Sequence, residues 1–423
     1  MSSPLCGLPV EVIGLISGFT AVHDLVAFCR TNQRIHSVCF RDIYRTVDVE
    51  EPARAVKCSE TLASNIFYAQ EVRKLKFLSY PKYPFRRFRV AFQSAMRNLE
   101  NLETLLLYTH PSLSACLSAA HFPRLRQCSI PLGVFADSFL RRHPDLISLS
   151  VVPEQYHGDS HPYNFISSPP LLNLPYLEHF IGPEIYAFKV VPHSRVSHLS
   201  ILWNTHRLRL NRSAEDIATL ALSSTNIAHL ENIVGIWDTF LLSAIAAGLP
   251  HLTSLEFRNV SPPDPDGSQI FISHLGAAIA VLPTLTSLSI LQNPLRPPGL
   301  LDPRDLDREF ATVRSWGAMS PTLRSAVLPS ETAWSRVHVR EDVWYPATKS
   351  PNRPDMLVRV KWFLRLVVSS PVQELGLGYA RVAEAVAGKE TLSTLRMEAE
   401  RRGGVPEFDI VPTATGMSIS ITF

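Results

Sequence analysis

The sequence predicts an α/β chain in which a short unit of three helices precedes a long run of helix-plus-strand repeats with parallel strands. Three observations carry this reading. Residues 7–45 hold three apolar stripes at helical spacing. Beyond them one short pattern returns about a dozen times: an apolar residue, two variable ones, an apolar residue, one variable, an apolar residue. Many copies also follow a stretch of helical period closed by Pro or a small residue, as in FLLSAIAAGLPHLTSLEF and FISHLGAAIAVLPTLTSLSI.

In the first stripe Leu8-Pro9 opens a helix, because Pro in the first turn removes an N–H that has no helical partner. Val12, Ile16 and Phe19 follow at i, i+4 and i+7. A second helix spans about Val22 to Arg30, with Asp24 near its start and Leu25, Phe28 and Cys29 on one side. A third carries Ile35, Val38, Cys39 and Ile43. Units of roughly 40 residues rarely bury enough apolar area to fold without help, and each buried Leu, Ile or Phe contributes only about 1.5–3 kcal/mol. This unit therefore needs a partner.

The same run resembles the F-box. An opening Leu8-Pro9, the acid Glu11, the pair Asp24-Leu25 and the closing aromatic-Arg of Tyr44-Arg45 match its pattern; the family often closes on Leu-Trp-Arg where this chain has Ile43-Tyr44-Arg45. The resemblance covers about a tenth of the chain, residues 5–48. It implies a subunit that docks a Skp-family adaptor, and through it a cullin scaffold. Leu8, Pro9, Ile13, Ile16, Leu25 and Phe28 are then expected to supply much of the apolar contact.

Composition agrees with a folded chain that is not specialised for nucleic acid or lipid. It is 46% hydrophobic and 19% charged with a net charge of +3, too weak a balance to imply a polyanionic partner. Six cysteines without a C-x-x-C, several of them on apolar helix faces, read as reduced core thiols. The start of the sequence lacks a basic n-region and carries Pro9 and Glu11 in its apolar stretch, which argues against a signal peptide. The uncharged run from Gly267 to Leu295 is long enough to span a bilayer, but Pro283 and many polar residues interrupt it and it fits a helix followed by a strand. No membrane is expected, and the cytoplasm or nucleus is the expected location.

Residues 49–70 read as a linker, around Glu50 to Pro52, and the first helix of the array, and residues 71–423 as the array itself. The clearest copies of the pattern fall at Leu102, Leu105 and Leu107; at Leu146, Leu149 and Val151; at Leu252, Leu255 and Phe257; at Leu285, Leu288 and Ile290; and at Leu392, Leu395 and Met397. Weaker copies fall at Leu75, Leu125 with Ile130, Leu177, Val196, Ile227, Leu323 and Val372 with Leu375 and Leu377. Such units bury their apolar side only by stacking on neighbours. The pattern resembles the leucine-rich repeat, which implies an irregular solenoid, a horseshoe with parallel strands on its concave side. The final MSISITF reads as a strand capping the last repeat.

Where copies lie farthest apart the extra residues are expected to leave the stack as loops, near 152–176, 260–268, 293–305 and 329–355. The last holds Trp334 and Trp344 among several charged residues, a mixture found at binding hot spots; packing of these rings onto the array is the alternative. With His198, Glu256 and Arg258 on the strands, they form the expected recognition surface for a protein substrate.

No phosphate-binding Gly loop, G-x-S-x-G elbow or H-E-x-x-H is present. No catalytic residue, metal or cofactor is expected. His157, Asp159 and His161 read as polar loop residues, Gly376 and Gly378 as part of a repeat strand, and the basic, aromatic stretch from Val72 to Phe92 as a solvated face. The combination resembles F-box proteins with leucine-rich repeats, substrate-recognition subunits of SCF-type ubiquitin ligases. A repeat scaffold for protein or nucleic acid without a ligase role is the alternative.

Overall fold

A computed structural model describes residues 8–78, 85–108, 111–133, 135–152, 171–204, 208, 212–262, 264–292, 303–338, 342–347, 355–370, 372–404, 408–413 and 416–421. The fold is α/β: thirteen strands form one sheet in chain order, mostly parallel, and two more form a separate hairpin. The chain divides into two compact units, Met1–Ile201 with Leu222–Thr225, and Leu202–Ala221 with Asn226–Phe423.

In the first unit, helices α1 (Val10–Phe19), α2 (Val22–Cys29) and α3 (Gln33–Arg45) lead without a spacer residue into strand β1 (Thr46–Val49). Helix α4 (Pro52–Ser64) and α5 (Ile66–Glu71) then return the chain to β2 (Lys74–Phe77), which pairs in parallel with β1. Residues 46–48, expected at the end of the three-helix unit, thus belong with Val49 to the sheet. Helix α6 (Arg86–Asn98) precedes β3 (Thr104–Leu107), a 3-10 segment over Pro111–Ala119 precedes β4 (Gln127–Pro131), and β5 (Ser148–Val152), β6 (His179–Pro183) and β7 (His198–Leu202) follow. Leu75, Leu105, Cys128, Leu149 and Phe180 lie in register across β2 to β6, and all are buried. The strands' inner side packs on the helices: the rings of Phe77 on β2 and Phe92 on α6, the helix that follows it, meet edge to face at 5.6 Å between centroids.

A second ladder explains why the strands stay in step. The N–H of the residue leading into each strand is bonded to the carbonyl of its counterpart one repeat earlier: Glu103 to Arg73 at 2.8 Å, Arg126 to Glu103 at 2.9 Å, Ile147 to Arg126 at 2.8 Å and Glu178 to Ile147 at 2.9 Å. The turn before each strand is therefore satisfied by its neighbour's turn, as buried backbone requires.

In the second unit β8 (His229–Val234), β9 (Ser254–Asn259), β10 (Ser287–Gln292) and β11 (Ser325–Val327) alternate with helices Thr239–Gly248, Pro265–Ala280 and Pro303–Met319. Leu230, Leu255, Leu288 and Ala326 are in register. The uncharged run thus resolves into a helix and a strand, and among the described residues no helix is long and apolar enough to cross a membrane. At the third apolar position of β8 stands Asn232, fully buried; its side-chain oxygen accepts from Trp203 Nε1 at 2.9 Å and its amide donates to the Glu256 carbonyl at 3.2 Å.

Three expectations for this unit are corrected. Within the expected 329–355 loop, residues 333–338 and 343–347 are strands: β12 (Ala333–His338) and β13 (Val343–Ala347) extend the sheet antiparallel from β11. The copy at Leu395 is not a strand but lies in helix Lys389–Arg402, and the copy at Leu375 and Leu377 falls in helices Val372–Leu375 and Leu377–Ala387. L-x-x-L is also the i, i+3 spacing of a helix, and here charged helix formers follow it. Gly403, at φ +65°, then closes the helix in the left-handed conformation that glycine adopts without penalty, and Gly404 N–H returns to the Ala399 carbonyl. The terminal strand exists as β15 (Gly416–Ile421), but it pairs with β14 (Phe408–Thr413) in the separate hairpin, not with the repeats. Most of the 152–176 and 293–305 insertions lies outside the described residues.

Candidate docking face and sheet face

The three-helix unit has an apolar cluster of five buried side chains, Ile13, Leu25, Cys29, Ile35 and Cys39, with Leu8, Phe28, Val38 and Ile43 packed around them. Of the six residues expected to meet a partner, Ile13 and Leu25 are thus turned inward, and this expectation is corrected for both. Pro9 is exposed at the N-cap of α1, its carbonyl accepting from Val12 and Ile13 N–H at 3.1 Å, while Leu8, Ile16 and Phe28 are half-buried. Arg34 Nη2 donates to the Leu8 carbonyl at 3.0 Å and ties the chain leading into α1 to α3.

What α1 leaves outside is apolar. Leu15 is 63% exposed and Phe19 91%, with Val12 at 36% and, on α2, Val22 at 56%. The cause is the identity of the inward face. Ser17, one turn beyond Ile13, is buried and donates its hydroxyl to the Asp42 carboxylate on α3. A buried hydroxyl with a charged acceptor is satisfied, so Ser17 takes the place that Ile16 or Phe19 was expected to fill. Leu15 was missed because it falls outside the i, i+4, i+7 stripe read from the sequence. At 91% exposure, Phe19 contributes almost nothing to the unit's own core.

The cysteines that are described are free thiols held in apolar surroundings. Burial pushes Cys29 and Cys58 up to about 11 and raises Cys128 further, which leaves them unreactive at neutral pH.

On the sheet of the second unit, Arg258 reaches two carboxylates at once: Glu256 on its own strand at 2.8 Å and Glu231 at 3.2 Å, the residue in register with Glu256 on β8. These hydrogen bonds raise the guanidinium's pKa above its ordinary value. Beside them runs a row of half-exposed hydroxyls, Ser254, Ser287, Ser325 and Ser335, in register on four strands. Ser325 donates to Ser287 at 3.1 Å. Glu256 and Arg258 are therefore brought together. His198 belongs to the first unit, exposed on β7 with its ring 4.4 Å from that of His179.

Trp334 and Trp344 contribute to no recognition surface; both are wholly buried, and the expectation is corrected. Trp334 Nε1 donates to Glu309 Oε2 at 3.0 Å, and its ring lies between Phe310 and Trp362, at 5.9 and 5.4 Å. Burial raises the Glu309 carboxyl above its usual range, against the N–H and O–H donors around it. Trp344 Nε1 donates to Asp342 Oδ1 at 3.0 Å, and its backbone N–H donates to the Tyr379 hydroxyl at 3.1 Å. Each indole N–H has found an acceptor, which lets so large a polar-tipped ring enter the core.

Of the motifs set aside, the His157, Asp159 and His161 group lies outside the described residues. Gly376 is the N-cap of helix Leu377–Ala387, not part of a strand. Among the described residues no group of three or more His, Cys, Asp or Glu could hold a metal ion. In the basic stretch Phe77, Phe88 and Phe92 are buried while Arg86, Arg87 and Arg89 are exposed. No protein-family model matches the chain, and no curated protein matches it.

Proposed function

We propose that the chain is the substrate-recognition subunit of an SCF-type ubiquitin ligase, docking a Skp-family adaptor through α1 and α2 and holding a protein substrate with its repeat region. The observation that carries the reading is the apolar face of Val12, Leu15, Phe19 and Val22 left in solvent by a unit whose described apolar cluster is small, five side chains from Ile13 to Cys39. Contiguous exposed apolar residues on so small a unit are a protein-binding signature. The Leu-Pro, Asp-Leu and Tyr-Arg landmarks that resemble the F-box bracket the same helices. Strands that follow one another in chain order, with L-x-x-L-x-L residues inward, suit a leucine-rich-repeat-like array.

On this reading the chain performs no chemistry. It raises the effective concentration of substrate lysines near a charged conjugating enzyme, and acts in the cytoplasm or nucleus. Co-expression of the full chain with a Skp-type adaptor tests it. The adaptor should co-purify with the parent and be lost from Leu15→Asp with Phe19→Asp, whose far-UV circular dichroism stays that of the parent. Failure of the parent to retain the adaptor, or retention by the double variant, would sink the reading.

A further inference from the structure

Helices α4 and α6 pack side by side in the first unit, and an open groove runs between them, lined by Glu60, Ala63 and Ser64 from α4 and by Arg86, Arg87, Val90, Ala91 and Ser94 from α6. We propose that this groove binds an acidic amphipathic helix of a partner protein, at a site separate from the α1–α2 face.

Charge is the first reason. Helix α6 carries Arg86, Arg87, Arg89 and Arg97, all exposed, and not one acid. On the α4 side Glu60 is engaged by Arg87 at 3.0 Å, and Arg86 lines the same groove with no acid on α6 to offset it. A positive field of this kind steers and retains an acidic partner.

Shape is the second. The floor is made of short side chains, Ala63, Ser64, Ala91 and Ser94, which let another backbone approach to the roughly 8–10 Å separation of packed helices. Each wall is a helix of 13 residues, about 20 Å long at about 1.5 Å per residue, so the groove matches a partner helix of three to four turns. Val90, 58% exposed at its rim, gives that helix an apolar residue to cover. Nucleic acid fits less well. Base stacking needs exposed rings, but on this helix Phe88 and Phe92 are buried and only Phe85 at the N-cap is exposed, and the Glu60 carboxylate in the groove repels a phosphate.

The test uses the full chain and a fluorescein-labelled peptide of about four turns, Glu-rich on one face with Leu at i, i+3, i+4 and i+7 on the other, followed by anisotropy at low and at physiological salt. Saturable binding that weakens with salt is expected. It should fall at least tenfold in Arg86→Glu with Arg87→Glu, in Val90→Asp, and in Ser94→Trp, which fills the groove without changing charge. It should be unchanged in Phe19→Asp. The proposal is overturned by any of three results: no saturable binding, equal affinity in the parent and in Ser94→Trp, or binding as tight for a Leu-to-Ser version of the peptide or for single-stranded polyuridine as for the parent peptide. The Ser94→Trp arm holds even if charge reversal at Arg87, which breaks its pair with Glu60, disturbs folding.

Discussion

Phe19 on α1 and Trp334 on β12 are both large aromatic side chains in short elements, and their surroundings are opposite. Phe19 projects into solvent from a unit with a single small interior, whereas Trp334 is enclosed by Phe310 and Trp362 with its N–H on Glu309. A ring goes inside only where several elements supply walls and, for indole, an acceptor. The buried side of helix α1, against α2 and α3, is filled by Ile13 and Ser17. Polar neighbours in the sequence therefore say little about a tryptophan's burial, while partners distant along the chain say much.

The largest effect separates the two sites. Trp334→Ala should cost about 3–5 kcal/mol, as other core aromatic truncations do, with Glu309 left buried without its indole donor. Urea unfolding measures it, and a loss below about 1 kcal/mol would mean that the ring is not in the core. Adaptor retention in Trp334→Ala at temperatures where it stays folded should equal the parent's.

Next, Leu288→Ala on β10 should cost about 2–5 kcal/mol, and Met397→Ala no more than about 0.5 kcal/mol. Met397 occupies the third position of an L-x-x-L-x-L copy, where Leu107, Val151, Phe257 and Ile290 are buried, yet it is 63% exposed on a helix. Equal losses at the two positions would put residues 392–397 back among the strands.

A pH effect of similar or slightly smaller size comes from His143 in the first unit. Its Nε2 accepts from Phe122 N–H at 3.0 Å and Nδ1–H donates to the Phe139 carbonyl at 2.8 Å, which leaves room for the neutral ring only. Desolvation lowers its pKa to about 4, with His121 and Arg142 adding to the effect. Since the folded value lies below the unfolded one of about 6.5, stability is full above that pH and is lost as pH falls from about 6.5 to about 4, by up to about 3 kcal/mol. Urea midpoints across that range should flatten in His143→Gln.

The smallest stability effect should be Phe19→Ser, within about 0.5 kcal/mol of the parent, because almost none of its ring is covered. A loss near that of Trp334→Ala would place Phe19 in a core and remove the contrast.

Much of the sheet was legible because L-x-x-L-x-L puts its residues on the inner side of a strand in ten positions along the chain, from Leu75 to Leu323. The pattern failed at Leu395, where Leu392 and Leu395 are inward at helix spacing while Met397 is exposed, and at Leu375, where Leu377 is exposed. β1 went unread because TVDV has just one buried residue, Val49. In the N-terminal unit the three helices were legible from period, but the inward face was not. It is set by Ser17 meeting Asp42, a pair 25 residues apart that no local pattern announces. The arginine-lined groove was visible only as a basic stretch, since half of it comes from α4.

The ladder that ties each repeat to its predecessor also bears on how this chain tolerates change over evolutionary time. From Cys128 to its register partner Leu149 the chain runs 149 − 128 = 21 residues, and from Leu288 to Ala326 it runs 326 − 288 = 38. Closing a loop twice as long costs only about 0.6 kcal/mol more. A change in loop length between strands thus costs little closure entropy, provided the helices that pack on the sheet are kept. Uneven spacing of this kind can accumulate in a lineage while the sheet is kept.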